Sequence, residues 1–170
     1  RPPRSTLFPY TTLFRSDLGV EACGLHVHVS RNYLSDYKWL LIDWFISKYQ
    51  QHFEIIARRR ENHWAAFKKT NGQPVKKVYG KANGTRYQAV NFENINTVEF
   101  RLFRGTLKYG TLMATLEIVD ALVHWANQLS ISDILASGDA FRNFTGYIRT
   151  NGGIYENAVT YLAEKNLFEV

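Results

Sequence analysis

The chain predicts an α+β fold: an antiparallel sheet with helices packed on one face. Three observations lead there. Residues 24–30 and 97–104 both alternate apolar and polar side chains with period two, as half-buried strands do. Residues 36–56 and 112–129 carry apolar residues at helical spacing. Most of the helical pattern follows the strands, in place of alternating with them as a parallel sheet would require.

The elements follow in order. In Leu25-His26-Val27-His28-Val29-Ser30 the aliphatic residues share one face and the two histidines the other. Alternate residues on one face lie about 7 Å apart, so both imidazoles project from the same side. Ser35 and Asp36 are candidate N-caps. Trp39, Leu40, Ile42, Phe45, Ile46, Tyr49 and Phe53 then mark one long amphipathic helix to about Ile56. From Arg58 to Arg86 the chain is basic and polar, with turn signals at Asn71-Gly72, Pro74 and Asn83-Gly84. Residues 86–92 and 97–103 read as two strands of a hairpin around Asn94, Ile95 and Asn96. Alternation puts Val98, Phe100 and Leu102 on one face of the second strand and Glu99, Arg101 and Phe103 on the other. Leu112, Leu116, Val119, Leu122, Val123 and Trp125 give the second long helix. Shorter helices are predicted around 131–135, 140–149 and 155–166, broken at Gly138 and at Gly152-Gly153.

Residues 1–16 are set apart from this pattern. Thr6-Leu7-Phe8-Pro9-Tyr10-Thr11-Thr12-Leu13-Phe14-Arg15-Ser16 is the forward translation, codon by codon, of a common short-read sequencing adapter. We treat 1–16 as an adapter-derived scar and 17–170 as one partial domain. A sequence never selected to pack here contributes little to the core. Deleting residues 1–16 is therefore expected to leave the melting temperature unchanged in a thermal scan, and a large drop would show that real structure was removed.

Composition narrows the function classes. The formal net charge is +6, and Arg1, Arg4 and Arg15 of the scar supply three of it, leaving +3. So mild an excess argues against a nucleic-acid partner. Arg58-Arg59-Arg60 and Lys68-Lys69, near Trp64 and Phe67, read as the solvated end of a helix. The single cysteine, Cys23, allows no intrachain disulfide and fits a reducing, cytoplasmic compartment. No apolar run reaches transmembrane length, so no membrane partner is expected.

The chemistry concentrates on two polar strand faces. His26 and Glu99 offer an imidazole and a carboxylate, the donors of a metal site. His28 and Arg101 beside them suit a polyphosphate, the guanidinium as a fork of donors. Arg86 and Arg104 add positive charge. By spacing alone the same residues fit a metal and phosphate site, a cupin-like metal centre or a hydrogen-bonded structural pair.

Three motifs sharpen the choice. Cys23-Gly24-Leu25-His26-Val27-His28-Val29-Ser30, Arg86-Tyr87-Gln88-Ala89-Val90-Asn91 and Thr97-Val98-Glu99-Phe100-Arg101-Leu102-Phe103-Arg104-Gly105-Thr106 together resemble the amidoligase family. Its members are similar to glutamine synthetase and glutamate–cysteine ligases. The resemblance runs from about residue 20 to 122. It implies a glutamine synthetase-like catalytic domain and ATP-dependent amide formation from a small-molecule or peptide carboxylate and an amine. It implies Mg²⁺ or Mn²⁺ held by His26 and Glu99, and nucleotide phosphate contacts from His28 and Arg104. Arg101 and Arg86 would act on the transferred phosphoryl group and the substrate. Asn91 matches a motif without an assigned role. The family carries an acidic strand upstream of the His motif, where this chain has the adapter. The expectation is thus the C-terminal portion of a longer enzyme, holding half an active site. The alternatives are a cupin-like metal enzyme using His26, His28 and Glu99, and a non-catalytic relative.

Overall fold

A computed structural model describes residues 24–67, 87–130 and 139–168. Arg86, Cys23, Lys68-Lys69, residues 1–16 and the helix predicted at 131–135 lie outside the described residues.

The described residues form an α+β arrangement of three strands and five helices. Strand β1 is Gly24–Ser30. A 3-10 turn, Arg31–Tyr33, leads into α1, Asp36–Lys48, and α2, Gln50–Ala57. Strands β2, Val90–Asn91, and β3, Thr97–Arg104, form the predicted hairpin. Helix α3 is Tyr109–Gln128, α4 is Ala140–Thr150 and α5 is Glu156–Glu164. The sheet order is β1-β3-β2, with both pairings antiparallel. β3 is therefore central, and it places Glu99 between the histidine strand and the short β2.

The apolar face joins one core. Val98 and Phe100 are fully buried with Ile118, Leu122 and Phe45, and Leu25, Val27 and Val29 pack against them. The opposite face of β1 carries His26, His28 and Ser30 to solvent, as the period-two pattern requires. An aromatic cluster forms the centre of the helical layer. Phe45 meets the rings of Tyr49, Phe53, Trp125, Phe141 and Phe144 at centroid distances of 4.9 to 6.5 Å. Such contacts add to the free energy of burying the rings.

Three expectations need correction. The first long helix is two. Tyr49 leaves helical geometry at φ −104°, ψ 35°, and the chain restarts at Gln50. The Tyr49 hydroxyl accepts a hydrogen bond from the amide N–H of Ala140 at the start of α4, so a tertiary contact lies at the break. The strand predicted over 86–92 shortens to Val90–Asn91, with Gln88 in an isolated bridge to Ala66. The third correction concerns the face of Phe103. Leu25 pairs with Phe103 and Val27 with Phe100, so β3 spends one residue more than β1 between these pairs. Arg101 and Leu102 together oppose His26 in a β-bulge. Past the bulge the alternation is reset. Phe103 falls opposite Leu25 on the apolar face and is buried, in place of the polar face that strict alternation gives it. Arg104 falls opposite Gly24.

Candidate functional site

The local sequence explains why the polar face forms. β-branched and aromatic residues of β1 and β3 bury one side, and the residues between them have no choice but the other. The antiparallel register then sets His28 directly opposite Glu99 and Ser30 opposite Thr97. Glu99 is the hub. Its Oε1 lies 2.8 Å from His26 Nδ1, 3.1 Å from Arg101 Nη1 and 3.7 Å from His28 Nε2. Its Oε2 accepts from Asn91 Nδ2 at 2.8 Å and from Arg101 Nη1 at 3.3 Å. His28 is turned by a contact between its Nδ1 and Thr97 Oγ1 at 3.1 Å.

The structure thus brings together four of the six candidate residues: His26, His28, Glu99 and Arg101. Arg104 is not among their contacts. It lies three residues beyond Arg101, roughly 10 Å along the strand, and lines a separate cleft. Arg86 lies outside the described residues. Two further residues reach the site: Asn91, which the sequence left without a role, and Arg59, which it read as part of a solvated helix end and which the structure half-buries. Asn91 fixes the carboxylate, and its pairing opposite Glu99 in the hairpin is the signal that assigns it. Arg59 reaches the edge of the face. A Cβ built at Gly24 would lie 3.1 Å from Arg59 Nη1, 3.2 Å from His26 Nε2 and 3.3 Å from the Phe103 carbonyl oxygen. A side chain there would be tight against both groups, which would have to give by a few tenths of an ångström. Of the basic run, Arg58 donates to the Arg104 carbonyl and Arg59 to Asn62 Oδ1. These guanidinium groups anchor the chain within the fold.

Burial and charge set the protonation states. Burial pushes the His26 pKa down, the Arg101 charge adds to the effect, and attraction to Glu99 offsets only part of it. His26 is therefore a neutral imidazole near pH 7. Burial alone would raise the Glu99 pKa. The Asn91 hydrogen bond, the Arg101 charge and His26 outweigh it, leaving the carboxyl below its ordinary value. Both shifts have the same sign for stability, because in each case the unfolded chain holds more protons in acid. The His26 contribution is present above its unfolded value of 6.5 and fades as pH falls through the lower folded value. The Glu99 contribution is present above 4.5 and fades below its folded value. Thermal scans are expected to show stability declining from about pH 6.5 downward, and His26→Gln to remove the upper part of that decline. An NMR titration midpoint of His26 at or above 6.5 would contradict the assignment.

A metal can be tested against this donor set. Two neighbouring ligands of an octahedral ion at about 2.1 Å lie about 3.0 Å apart; the His26–Glu99 separation of 2.8 Å is compatible with that and is also the length of the hydrogen bond the pair makes without an ion. A neutral imidazole is the form that coordinates. The fit is that of two ligands only. Among the described residues no group of three or more His, Cys, Asp and Glu side chains is arranged to hold a metal ion. Both Glu99 oxygens already receive N–H donors, and Arg101 brings a positive charge to the oxygen that an ion would share. Any further ligands would come from phosphate oxygens and water.

Arg101 is the most suggestive group. Its side chain is 11 % exposed, its guanidinium carbon lies 5.8 Å from the Tyr87 ring centre, and its Nε finds no acceptor among the described residues. A buried guanidinium donor without an acceptor is costly unless a ligand oxygen completes it. Comparison with known proteins adds no relative: no family model, curated protein or solved structure matches this chain. Among the described residues, no helix is long and apolar enough to cross a membrane.

Proposed function

We propose that the chain carries the His/Glu/Arg face of an ATP-dependent carboxylate–amine ligase of glutamine synthetase-like type. The observation that carries the reading is the meeting of His26, His28, Glu99 and Arg101 on one polar sheet face, with an unsatisfied Arg101 donor among them. Three motifs distant in sequence supply these residues and Asn91.

The reaction joins a carboxylate to an amine. The carboxylate oxygen attacks the terminal phosphorus of ATP, the bond to ADP breaks, and an acyl phosphate forms. The amine then attacks the acyl carbon, loses a proton, and inorganic phosphate leaves with the C–O bond. The protein's part is positioning and charge stabilisation. Arg101 offsets charge on the phosphoryl group in transit, using its free edge while Glu99 holds the other. Asn91 keeps Glu99 aimed at Arg101 and His26. His28, on the solvent side of Glu99, offers a donor to phosphate. His26 and Glu99 are the pair that would hold Mg²⁺ or Mn²⁺, which when bound neutralises phosphate charge.

The test uses the protein with residues 1–16 replaced by those its own gene encodes. ATP hydrolysis should require a divalent metal and be stimulated by a carboxylate plus an amine. Arg101→Lys should lower kcat about 100-fold while changing nucleotide affinity far less, because a point charge does not replace a fork of donors. Metal binding with no nucleotide effect would favour the cupin-like reading. That reading draws nothing from the fold, since a cupin encloses its metal in a β-barrel and the described strands form one three-stranded sheet.

A further inference from the structure

Arg104 leads to a second feature of the molecule. Beyond the bulge, β3 ends at Arg104 and the chain turns through Gly105 and Thr106 into α3. A cleft of about 660 Å³ opens at this turn, between the C-terminal end of α2 and helix α5. Its volume falls in the range of small-molecule sites. The charged side chains that line it are Arg58, Arg104, Lys108, Lys165 and Glu164, four cations against one carboxylate. Thr106, Thr111, Thr160 and Asn157 add neutral hydrogen-bonding groups.

These residues come from three separate parts of the chain, and one of them, Arg58, also anchors the fold. Arg58 is held in place from both ends. Its backbone is left-handed at φ 56°, capping α2, and its guanidinium donates to the Arg104 carbonyl oxygen. Thr106 Oγ1 accepts the Lys108 N–H, which fixes the turn that carries Lys108 into the cleft wall. Helix α3 begins at this wall and α2 and α5 end at it, so the cationic field comes from the side chains and not from the helix ends. Four like charges repel one another, and a bound anion relieves that repulsion.

We propose that this cleft binds a small phosphorylated molecule, with Arg104, Lys108 and Lys165 contacting the phosphoryl oxygens. Phosphate is the anion that best uses the set. It carries more charge than a single carboxylate and offers several oxygens to cations and hydroxyl donors at once. The cleft has room for the organic part of a phosphate ester beside the phosphate itself. The inference does not depend on the ligase reading, because Glu99, His26 and Arg101 take no part in it.

The probe is inorganic pyrophosphate, titrated calorimetrically into the chain in chelator so that no metal contributes, with citrate as a carboxylate control. Pyrophosphate should bind, and citrate more weakly. Lys108→Gln and Lys165→Gln should each weaken pyrophosphate about fivefold. Glu164→Gln should tighten it, a gain that misfolding does not imitate. Lys48→Gln, which removes a cation on α1 that does not line the cleft, should leave it within about twofold. Absence of pyrophosphate binding would overturn the proposal, as would indifference to the lysine and Glu164 substitutions. Citrate binding as tightly as pyrophosphate would overturn the phosphate assignment. Loss of binding in Arg101→Lys alone would place the anion on the sheet face and refute the cleft.

Discussion

Glu99→Ala is expected to cost about 3 kcal/mol of folding stability, the lower end of what breaking a buried ion pair costs. The Glu99 side chain is 9 % exposed and Arg101 11 %, so the guanidinium would lose its partner where water screens it poorly. Asn91 Nδ2 would lose its acceptor at the same time. The lower end applies because His26 and His28 open the face to solvent on one side. Glu99→Gln should cost less, since an amide oxygen can still accept from Asn91, although its NH₂ meets Arg101 donor to donor. Chemical denaturation reads both costs. A second measurement separates this network from general damage. Glu99 raises the His26 pKa by attraction and by hydrogen bonding. In Glu99→Gln, His26 should therefore titrate still lower than in the parent protein. A rise in the His26 midpoint, or a loss of less than about 1 kcal/mol in Glu99→Ala, would show that the carboxylate is not the hub.

Phe45→Ala is expected to have the largest effect on the fold itself. Phe45 is 1 % exposed and touches the ring of Tyr49 at the α1–α2 break and rings from α2, α3 and α4. Truncation removes the transfer free energy of the ring and leaves a cavity among rigid aromatic neighbours that cannot collapse freely, a loss of about 3–5 kcal/mol. At about 2–4 °C per kcal/mol for a chain of this size, the melting temperature should fall by roughly 10–15 °C. Phe45→Leu should recover much of the loss, because a large apolar side chain fills most of the space. A fall below about 3 °C in Phe45→Ala would mean that the aromatic cluster is not one cooperative core.

The two experiments probe opposite sides of one sheet, and the sequence revealed the two sides unequally. His26 and His28 were legible as a pair on a polar face, because alternation over 24–30 is unbroken and the strand lies at a sheet edge with one side in solvent. Glu99 and Arg101 were legible for the same reason. The α+β order was legible from the change of apolar period, and α3 from its long, regular stripe. The nature of the Asn91 contribution was not, because a hairpin register depends on the turn between its strands. It took the pairing of Asn91 with Glu99 to turn a motif position into a clamp on the carboxylate.

Beyond the bulge, local pattern stops being a guide. Leu102 and Phe103 are adjacent apolar residues, and strict alternation has to assign one of them to the polar face. In the structure both are buried, because two residues of β3 share the space opposite His26. The signal was there as a doubled apolar step, but only strand pairing decides whether such a step is a bulge or an exposed ring. The break at Tyr49 is similar. Its apolar spacing continues a helix, whereas in the structure its backbone leaves helical geometry and its hydroxyl meets α4. Residue pattern by itself determined which elements form and which face of each is polar. Tertiary structure alone decided which side Phe103 takes, and that Arg104, set opposite Gly24 by the bulge, lines a cleft with Lys108 and Lys165. The physical reason is that periodicity is a property of neighbours along the chain, whereas register, bulges and clefts are set by residues that meet only after folding.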